Sequence, residues 1–149
     1  MNAPASSPAQ PQDRLVPRPA QGYAGDITPE LAWQWVQTGE AVLVDVRSDA
    51  EREWVGFVPG ALGIAWKQWP GMAVNQGFDD ALQEEVPRGK KVVMLCRSGV
   101  RSIATAKRAT ELGMEAYNIL EGFEGAPDEN GQRGRKGGWR FRGLPWRQN

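Results

Sequence analysis

The sequence predicts an α/β domain with a mainly parallel central sheet and helices on both faces. Residues 41–47 (AVLVDVR) and 91–96 (KVVMLC) are short apolar runs rich in β-branched side chains. Such runs are typical of strands that are buried on both faces of a sheet. Segments with helix start and stop signals separate these runs, and this alternation favours parallel strands joined by right-handed crossovers.

Helices are predicted from their end signals. The first begins after Thr28, a favourable N-cap, with Pro29 at the first helical position, and it ends before Gly39. The last stops at Gly113, because glycine readily adopts the backbone conformation that terminates a helix. It covers residues 102–112, and two shorter helices are expected over 48–55 and 79–87.

Two further strands, residues 61–66 and 115–120, complete the predicted sheet. Residues 67–78 contain a proline and two glycines and are predicted to form a loop. In parallel sheets of this kind, ligands bind beyond the carboxyl ends of the strands. Cys96 ends the strand over 91–96, so we expect its side chain at the edge of the sheet where ligands bind.

The chain divides into three predicted segments. Residues 1–22 are rich in proline, alanine, serine and glutamine; such a composition buries too little apolar surface to fold and predicts a flexible arm. Residues 23–125 form the domain. Residues 126–149 form an extension in which aromatic residues and arginines alternate over 139–142, the period of a half-exposed strand. Its large apolar side chains are expected to dock on the domain or on a partner: Trp139, Phe141, Leu144 and Trp146.

The composition excludes several kinds of site. The chain has one cysteine and no histidine, and its 18 basic residues balance its 18 acidic ones. It therefore forms no intramolecular disulfide and no cysteine-rich zinc site, and it lacks the commonest general base. We predict no metal and no cofactor, and at zero net charge no nucleic acid and no membrane as partner. Without a secretory signal or a membrane-spanning apolar run, the expected location is the cytoplasm.

The residues that we predict to form a catalytic site lie in the segment CRSGVRS, residues 96–102. A loop that leaves a strand and enters a helix turns several backbone N–H groups inward, and the helix N-terminus adds partial positive charge. An anion is stabilised there, and so is the thiolate of a cysteine. Cys96 is therefore the predicted nucleophile. The residues after it are predicted to hold the substrate: Arg97, Ser98, Gly99, Val100 and Arg101.

A buried and inert cysteine is the alternative, since a free cysteine often behaves as a small core residue. Arg97 and Arg101 follow the thiol closely, and a helix begins directly after it. Charged side chains and the free N–H groups of a helix start would be unfavourable around a cysteine that only fills an apolar core. We therefore favour a thiolate that attacks an electrophilic sulfur or phosphorus atom attached to an anionic group.

The loop CRSGVRS resembles the active-site loop of single-domain rhodaneses, the thiosulfate-type sulfurtransferases. The stretches VLVDVRSDAEREWVGFVPGAL and ATELGMEAYNILEGFEG are similar to other segments of that family, and the likeness covers most of residues 26–125. The resemblance implies a rhodanese-like domain over 23–125. It also implies that Cys96 accepts sulfur from thiosulfate or a persulfide, carries it as a persulfide, and passes it to a thiol, a protein thiol or cyanide.

Two alternatives within this fold stay open. Phosphatases and arsenate reductases that resemble the family carry a loop one residue longer than the six residues from Cys96 to Arg101, so the resemblance favours sulfur transfer. The second alternative is a rhodanese-like module that binds proteins through residues 126–149.

Two positions depart from the family pattern. Phe57 stands where the family usually has a histidine, and no tryptophan follows the last glycine-rich loop. Phe123 or Trp139 is expected to cover the surface that this tryptophan would occupy.

Asp45 and Arg47, at the end of the strand over 41–47, are expected in structural roles. We expect Arg47 to pair with Glu51 or Glu53 and Asp45 to bond to the backbone. Two tryptophans border the loop over 67–78, Trp66 and Trp69. A place in the wall of the pocket is one alternative for them, and packing against the domain is the more frequent role of such residues.

Overall fold

The computed structural model describes residues 16–68 and 71–149. Its strands are β1 (Gly25–Ile27), β2 (Ala41–Asp45), β3 (Leu62–Gly63), β4 (Lys67–Gln68), β5 (Ala73–Val74), β6 (Lys91–Leu95) and β7 (Ala116–Ile119). Five of them form one sheet in the order β1-β7-β6-β2-β3, and every neighbouring pair is parallel. The predicted α/β fold with a parallel central sheet is confirmed.

The helices are α1 (Pro29–Gln37), α2 (Asp49–Trp54), α3 (Phe78–Glu85) and α4 (Arg101–Glu111). The Thr28 side chain accepts a hydrogen bond from the Leu31 backbone N–H at 3.1 Å, which confirms it as the cap of α1. Ser48 caps α2 in a capping box with Glu51. None of the helices in the described ranges is long and apolar enough to cross a bilayer.

Two apolar clusters lie on opposite faces of the sheet, because successive side chains of a strand point to opposite sides. In β6, Val93 and Leu95 join the cluster that includes Trp35 of α1. Val92 and Met94 join the other cluster. This second cluster contains residues of α3 and α4: Phe78, Leu82, Ala106 and Ala109. The predicted helices on both faces are therefore present.

Three features differ from the sequence prediction. The edge strand β1 was not predicted, because Ile27 is its only large apolar residue. The predicted strand over 61–66 is reduced to the two residues of β3. The predicted loop over 67–78 contains the antiparallel pair β4 and β5, each of two residues; Trp69 lies outside the described residues.

The chain ends on either side of the domain lie against it where they are described. Residues 1–15 of the predicted arm lie outside the described residues. Arg18 exchanges two backbone hydrogen bonds of 2.8 Å with Asp26 of β1. At the other end, residues 139–142 form turns, so the predicted strand there is wrong.

The C-terminal extension places one aromatic side chain in the core. Trp139 is fully buried, and its ring packs nearly perpendicular to that of Trp33 at a centroid distance of 6.0 Å. Leu144 packs partly buried against the same cluster. Phe141 and Trp146 are 51% and 36% exposed, so the four apolar side chains of the extension differ in how deeply they dock.

Candidate active site

Cys96 lies directly after β6, where the chain turns towards α4. Its side chain is 1% exposed. The Gly99 backbone N–H donates a hydrogen bond to Sγ at 3.1 Å, and Ser102 Oγ lies 3.1 Å from the same sulfur. The sulfur is therefore held among polar groups at the N-terminus of a helix, an environment that stabilises negative charge.

A chain of buried polar groups leads away from the sulfur. Ser102 Oγ donates to Asn118 Oδ1 at 2.5 Å, and Asn118 Nδ2 donates to Asp26 Oδ1 at 2.9 Å. Either Cys96 Sγ or Ser102 Oγ can be the donor in the contact between them, so this contact links the sulfur to the polar chain.

Tyr23 also donates to Asp26 Oδ1, at 2.8 Å. Burial, followed by the hydrogen bond and charge of Asp26, raises the pKa of Tyr23 to about 12. Sequence reasoning missed Asp26 and Asn118 as neighbours of the site. A signal for Asn118 existed, since it is the one polar residue in the buried strand β7, where a side-chain amide needs a partner.

Arg101 is engaged by Glu51 rather than open to solvent. Its Nη1 and Nη2 each donate to one carboxylate oxygen of Glu51 at 2.7 Å, a two-point geometry that is strong for this pair. Burial opposes the charged form of Glu51, but the hydrogen bonds and charge of Arg101, with the Ser48 cap, lower the pKa of Glu51 to about 2. The hydrogen bonds that Arg101 donates to Glu51 raise the pKa of Arg101 in turn.

The lowered pKa of Glu51 predicts a pH-dependent stability. The folded state holds its pKa at about 2, against an ordinary value of 4.5. The stabilisation is therefore complete above pH 4.5 and is lost as the pH falls towards 2. Its full size is at most on the order of 3 kcal/mol, and screening by solvent at this partly exposed pair reduces it. Unfolding free energies measured by urea across this range should differ between wild type and Glu51→Gln near neutral pH and converge at low pH.

Glutamine preserves the capping box at this position, so Glu51→Gln removes charge with little change of shape. Glu53→Gln, on the exposed side of the same helix, is the matched control and should follow wild type throughout. A gap between wild type and Glu51→Gln that stayed constant over the whole pH range would contradict the assigned role of the Glu51 carboxylate.

Asp45 and Arg47 form a fully buried ion pair. Arg47 Nη2 lies 2.7 Å from Asp45 Oδ2 and donates to the Gly56 carbonyl at 2.7 Å, and its guanidinium stacks 4.2 Å from the centre of the Phe123 ring. The expected pairing of Arg47 with Glu51 or Glu53 is wrong. The reason is that Arg47 turns into the domain, whereas Glu51 faces Arg101.

The remaining loop residues differ in exposure. Arg97 and Val100 are exposed, whereas Ser98 and Gly99 are partly buried. Gly99 has a φ of 99°, which a side chain would disfavour; this backbone turn directs its N–H at the sulfur. Arg97 and Arg101 line one cleft beside the loop, so both predicted arginines lie at the same opening.

A second loop supports the first through the backbone. The Phe123 N–H donates to the Cys96 carbonyl at 2.8 Å, and the Glu124 N–H donates to the Arg97 carbonyl at 2.9 Å. A Cβ on Gly122 would lie 2.5 Å from the Arg97 carbonyl carbon, so this close approach requires glycine. The Trp139 N–H in turn donates to the Gly122 carbonyl at 2.8 Å.

The positions that depart from the family pattern have structural partners. Phe57 exchanges two backbone hydrogen bonds of 2.9 Å with Arg147, which anchors the end of the extension. Phe123 and Trp139 are both fully buried, as expected for residues that cover the core near the last glycine-rich loop. Trp66 packs on Phe78 at a centroid distance of 4.9 Å, which confirms its packing role.

No group of three or more potential metal-ligating side chains comes together within residues 16–68 and 71–149. Asp79, part of an acidic pair in α3, accepts a hydrogen bond from Arg108 Nε at 2.9 Å, which gives this carboxylate a structural partner.

Comparison with known proteins assigns the family. The sequence profile of the rhodanese-like domain matches residues 28–126. The chain is 32% identical over 121 residues to thiosulfate sulfurtransferase GlpE of Actinobacillus succinogenes, covering 80% of this chain and 87% of that protein. It is 34% identical over 101 residues to GlpE of Glaesserella parasuis, covering 67% and 83%. The crystal structure of Rv0390 from M. tuberculosis is similar with a TM-score of 0.78 at 45% identity, covering 85% of this chain and 99% of that one. The chain therefore belongs to the rhodanese-like domain family.

Proposed function

We propose that the protein is a sulfurtransferase. The Cys96 thiolate takes the outer sulfur of thiosulfate or of a persulfide donor and passes it to a thiol, a protein thiol or cyanide. The observation that carries this proposal is the lone thiol among the Gly99 N–H, the Ser102 hydroxyl and the N-terminus of α4. The relatives named as thiosulfate sulfurtransferases support the same reaction.

In the first half of the cycle, the Cys96 thiolate attacks the outer sulfur of thiosulfate. A new sulfur–sulfur bond forms while the bond to the sulfonate sulfur breaks, and sulfite leaves with the electron pair. The product is a Cys96 persulfide anion. The Gly99 N–H and the dipole of α4 stabilise negative charge at this position both before and after transfer.

In the second half, the acceptor attacks the outer sulfur of the persulfide and releases the Cys96 thiolate, so the cycle is of the ping-pong type. Arg97, exposed at the mouth of the cleft, attracts the anionic donor. Arg101 and the backbone of Ser98, Gly99 and Val100 shape the space around the sulfur. Each step is a displacement at sulfur, which is complete without a metal or an organic cofactor.

We also propose that the enzyme works in the cytoplasm. A persulfide-forming thiol needs to return to its reduced state in each cycle, and a reducing compartment keeps thiols in that state. The partners that we propose for this site are a small anionic sulfur donor and an acceptor that carries a thiol.

A turnover assay tests the proposed function against phosphate hydrolysis. With thiosulfate or a thiol persulfide as donor and cyanide as acceptor, wild type should produce thiocyanate and Cys96→Ser should produce none. Neither variant should hydrolyse an aryl phosphate. Hydrolysis of the aryl phosphate by wild type without any thiocyanate would instead identify a phosphatase.

A further inference from the structure

The cleft beside the Cys96 loop holds charges that nearly cancel. Two arginines, Arg97 and Arg101, and two glutamates, Glu51 and Glu124, line it. Arg101 is held at both guanidinium nitrogens by Glu51. Arg97 makes no ion pair with any residue in the described ranges. A donor that enters the cleft therefore meets one arginine that is not in an ion pair, Arg97, together with the second carboxylate, Glu124.

The other wall of this cleft is apolar. It is formed by side chains from α2, from the residue that caps the C-terminus of α2 and from the turn before β5: Ala50, Trp54, Val55 and Met72. Trp54 is 81% exposed, so its ring is available for contact with a molecule in the cleft. An exposed tryptophan in the cleft that also contains Arg97 and Arg101 offers a large apolar surface for contact.

We propose that Glu51 selects the sulfur donor by charge: the cleft takes a monoanion with an apolar group beside the transferable sulfur in preference to a dianion such as thiosulfate. This inference rests on the proposed sulfur transfer and names its donor class. A dianion would need both arginines, but Arg101 is already neutralised, and the second negative charge would face Glu51 and Glu124. A monoanion needs only Arg97, and its apolar group gains contact with Trp54.

Thiosulfonates, R–SO₂–S⁻, allow the two features of this donor class to be tested separately: the single negative charge and the apolar group beside the transferable sulfur. The Cys96 thiolate attacks their outer sulfur, the sulfur–sulfur bond breaks, and the sulfinate R–SO₂⁻ leaves with the electron pair; the product is the same Cys96 persulfide anion that thiosulfate gives. Methanethiosulfonate differs from thiosulfate mainly in charge. Benzenethiosulfonate differs from methanethiosulfonate mainly in its apolar group.

The experiment measures kcat/KM for these three donors with cyanide as acceptor. In wild type we expect the order benzenethiosulfonate, methanethiosulfonate, thiosulfate. Glu51→Gln should raise kcat/KM for thiosulfate by about tenfold or more, because it returns one positive charge to the cleft. The gain should appear in KM and should be smaller for methanethiosulfonate. Glu53→Gln, outside the cleft on the same helix, should leave all three values unchanged.

Trp54→Ala tests the apolar wall separately. Since Trp54 is largely exposed, its removal should leave the fold intact and lower the preference for benzenethiosulfonate over methanethiosulfonate by about two- to tenfold. The ratio of thiosulfate to methanethiosulfonate should not change in this variant.

The possible failures are distinct. If Glu51→Gln shifts no donor ratio while wild type transfers sulfur from all three donors, the charge selection is overturned and the sulfurtransferase stands. The same holds if wild type prefers thiosulfate. If no donor loads sulfur onto Cys96, the proposed function itself is overturned.

Discussion

Replacement of Trp139 by alanine is expected to lower the free energy of unfolding by about 3–5 kcal/mol. Trp139 is fully buried, packs on Trp33, and donates from its indole Nε1 to the Pro145 carbonyl at 2.8 Å. The substitution leaves a cavity and removes that hydrogen bond. Since domains of this size have only about 5–15 kcal/mol of stability, the urea midpoint should fall sharply.

Phe141→Ala is the matched control, because Phe141 is an aromatic residue of the same extension that is 51% exposed. Its loss should change the free energy of unfolding by about 1 kcal/mol or less. A loss for Trp139→Ala as small as that expected for Phe141→Ala would show that the extension is not part of the domain core.

Breaking the buried ion pair between Asp45 and Arg47 is expected to lower the free energy of unfolding by an amount similar to that for Trp139→Ala. Arg47→Met removes the two-point partner of the buried Asp45 carboxylate and leaves it only Arg52, whose Nε lies 3.6 Å from Asp45 Oδ2. Breaking a buried pair by removing one partner costs about 3–5 kcal/mol, and Arg52 places the loss towards the lower end. The Gly56 carbonyl also loses its donor. Chemical denaturation of Arg47→Met should therefore show a large loss of stability, although Arg47 does not line the cleft.

The double variant Asp45→Leu/Arg47→Met separates charge from packing. Replacing both partners of a buried pair with apolar residues is often close to neutral, so the double variant should be more stable than Arg47→Met alone. The four unfolding free energies of this double-mutant cycle should show strong coupling. Strictly additive effects would contradict the pairing of these two side chains.

Much of the fold followed from local sequence signals. The apolar runs located β2 and β6, and the cap and stop residues located α1 and α4, because these elements depend on neighbouring residues. The position of Cys96 at the carboxyl edge of the sheet followed from the parallel topology. β1 carried no such signal, since its pairing with β7 is made mainly by the backbone.

The side-chain partners of the site could not be read from the sequence. Glu51 and Arg101 are 50 residues apart, and their contact depends on how α2 sits against the loop. Asp26 and Asn118 are 92 residues apart and meet only because β1 joins the sheet beside β7. In the extension, alternating aromatic and arginine residues suggested a strand, but Gly138 has a φ of 103° and the chain turns instead.

The central claim is that Cys96 carries sulfur as a persulfide. The most direct measurement is the intact mass of the protein under non-reducing conditions after incubation with excess thiosulfate or benzenethiosulfonate. Wild type should gain the mass of one sulfur atom, lose it again on addition of cyanide, and show the gain on the peptide that contains Cys96. Cys96→Ser should gain nothing. A wild-type mass that stays unchanged with both donors, or an equal gain in Cys96→Ser, would contradict the account.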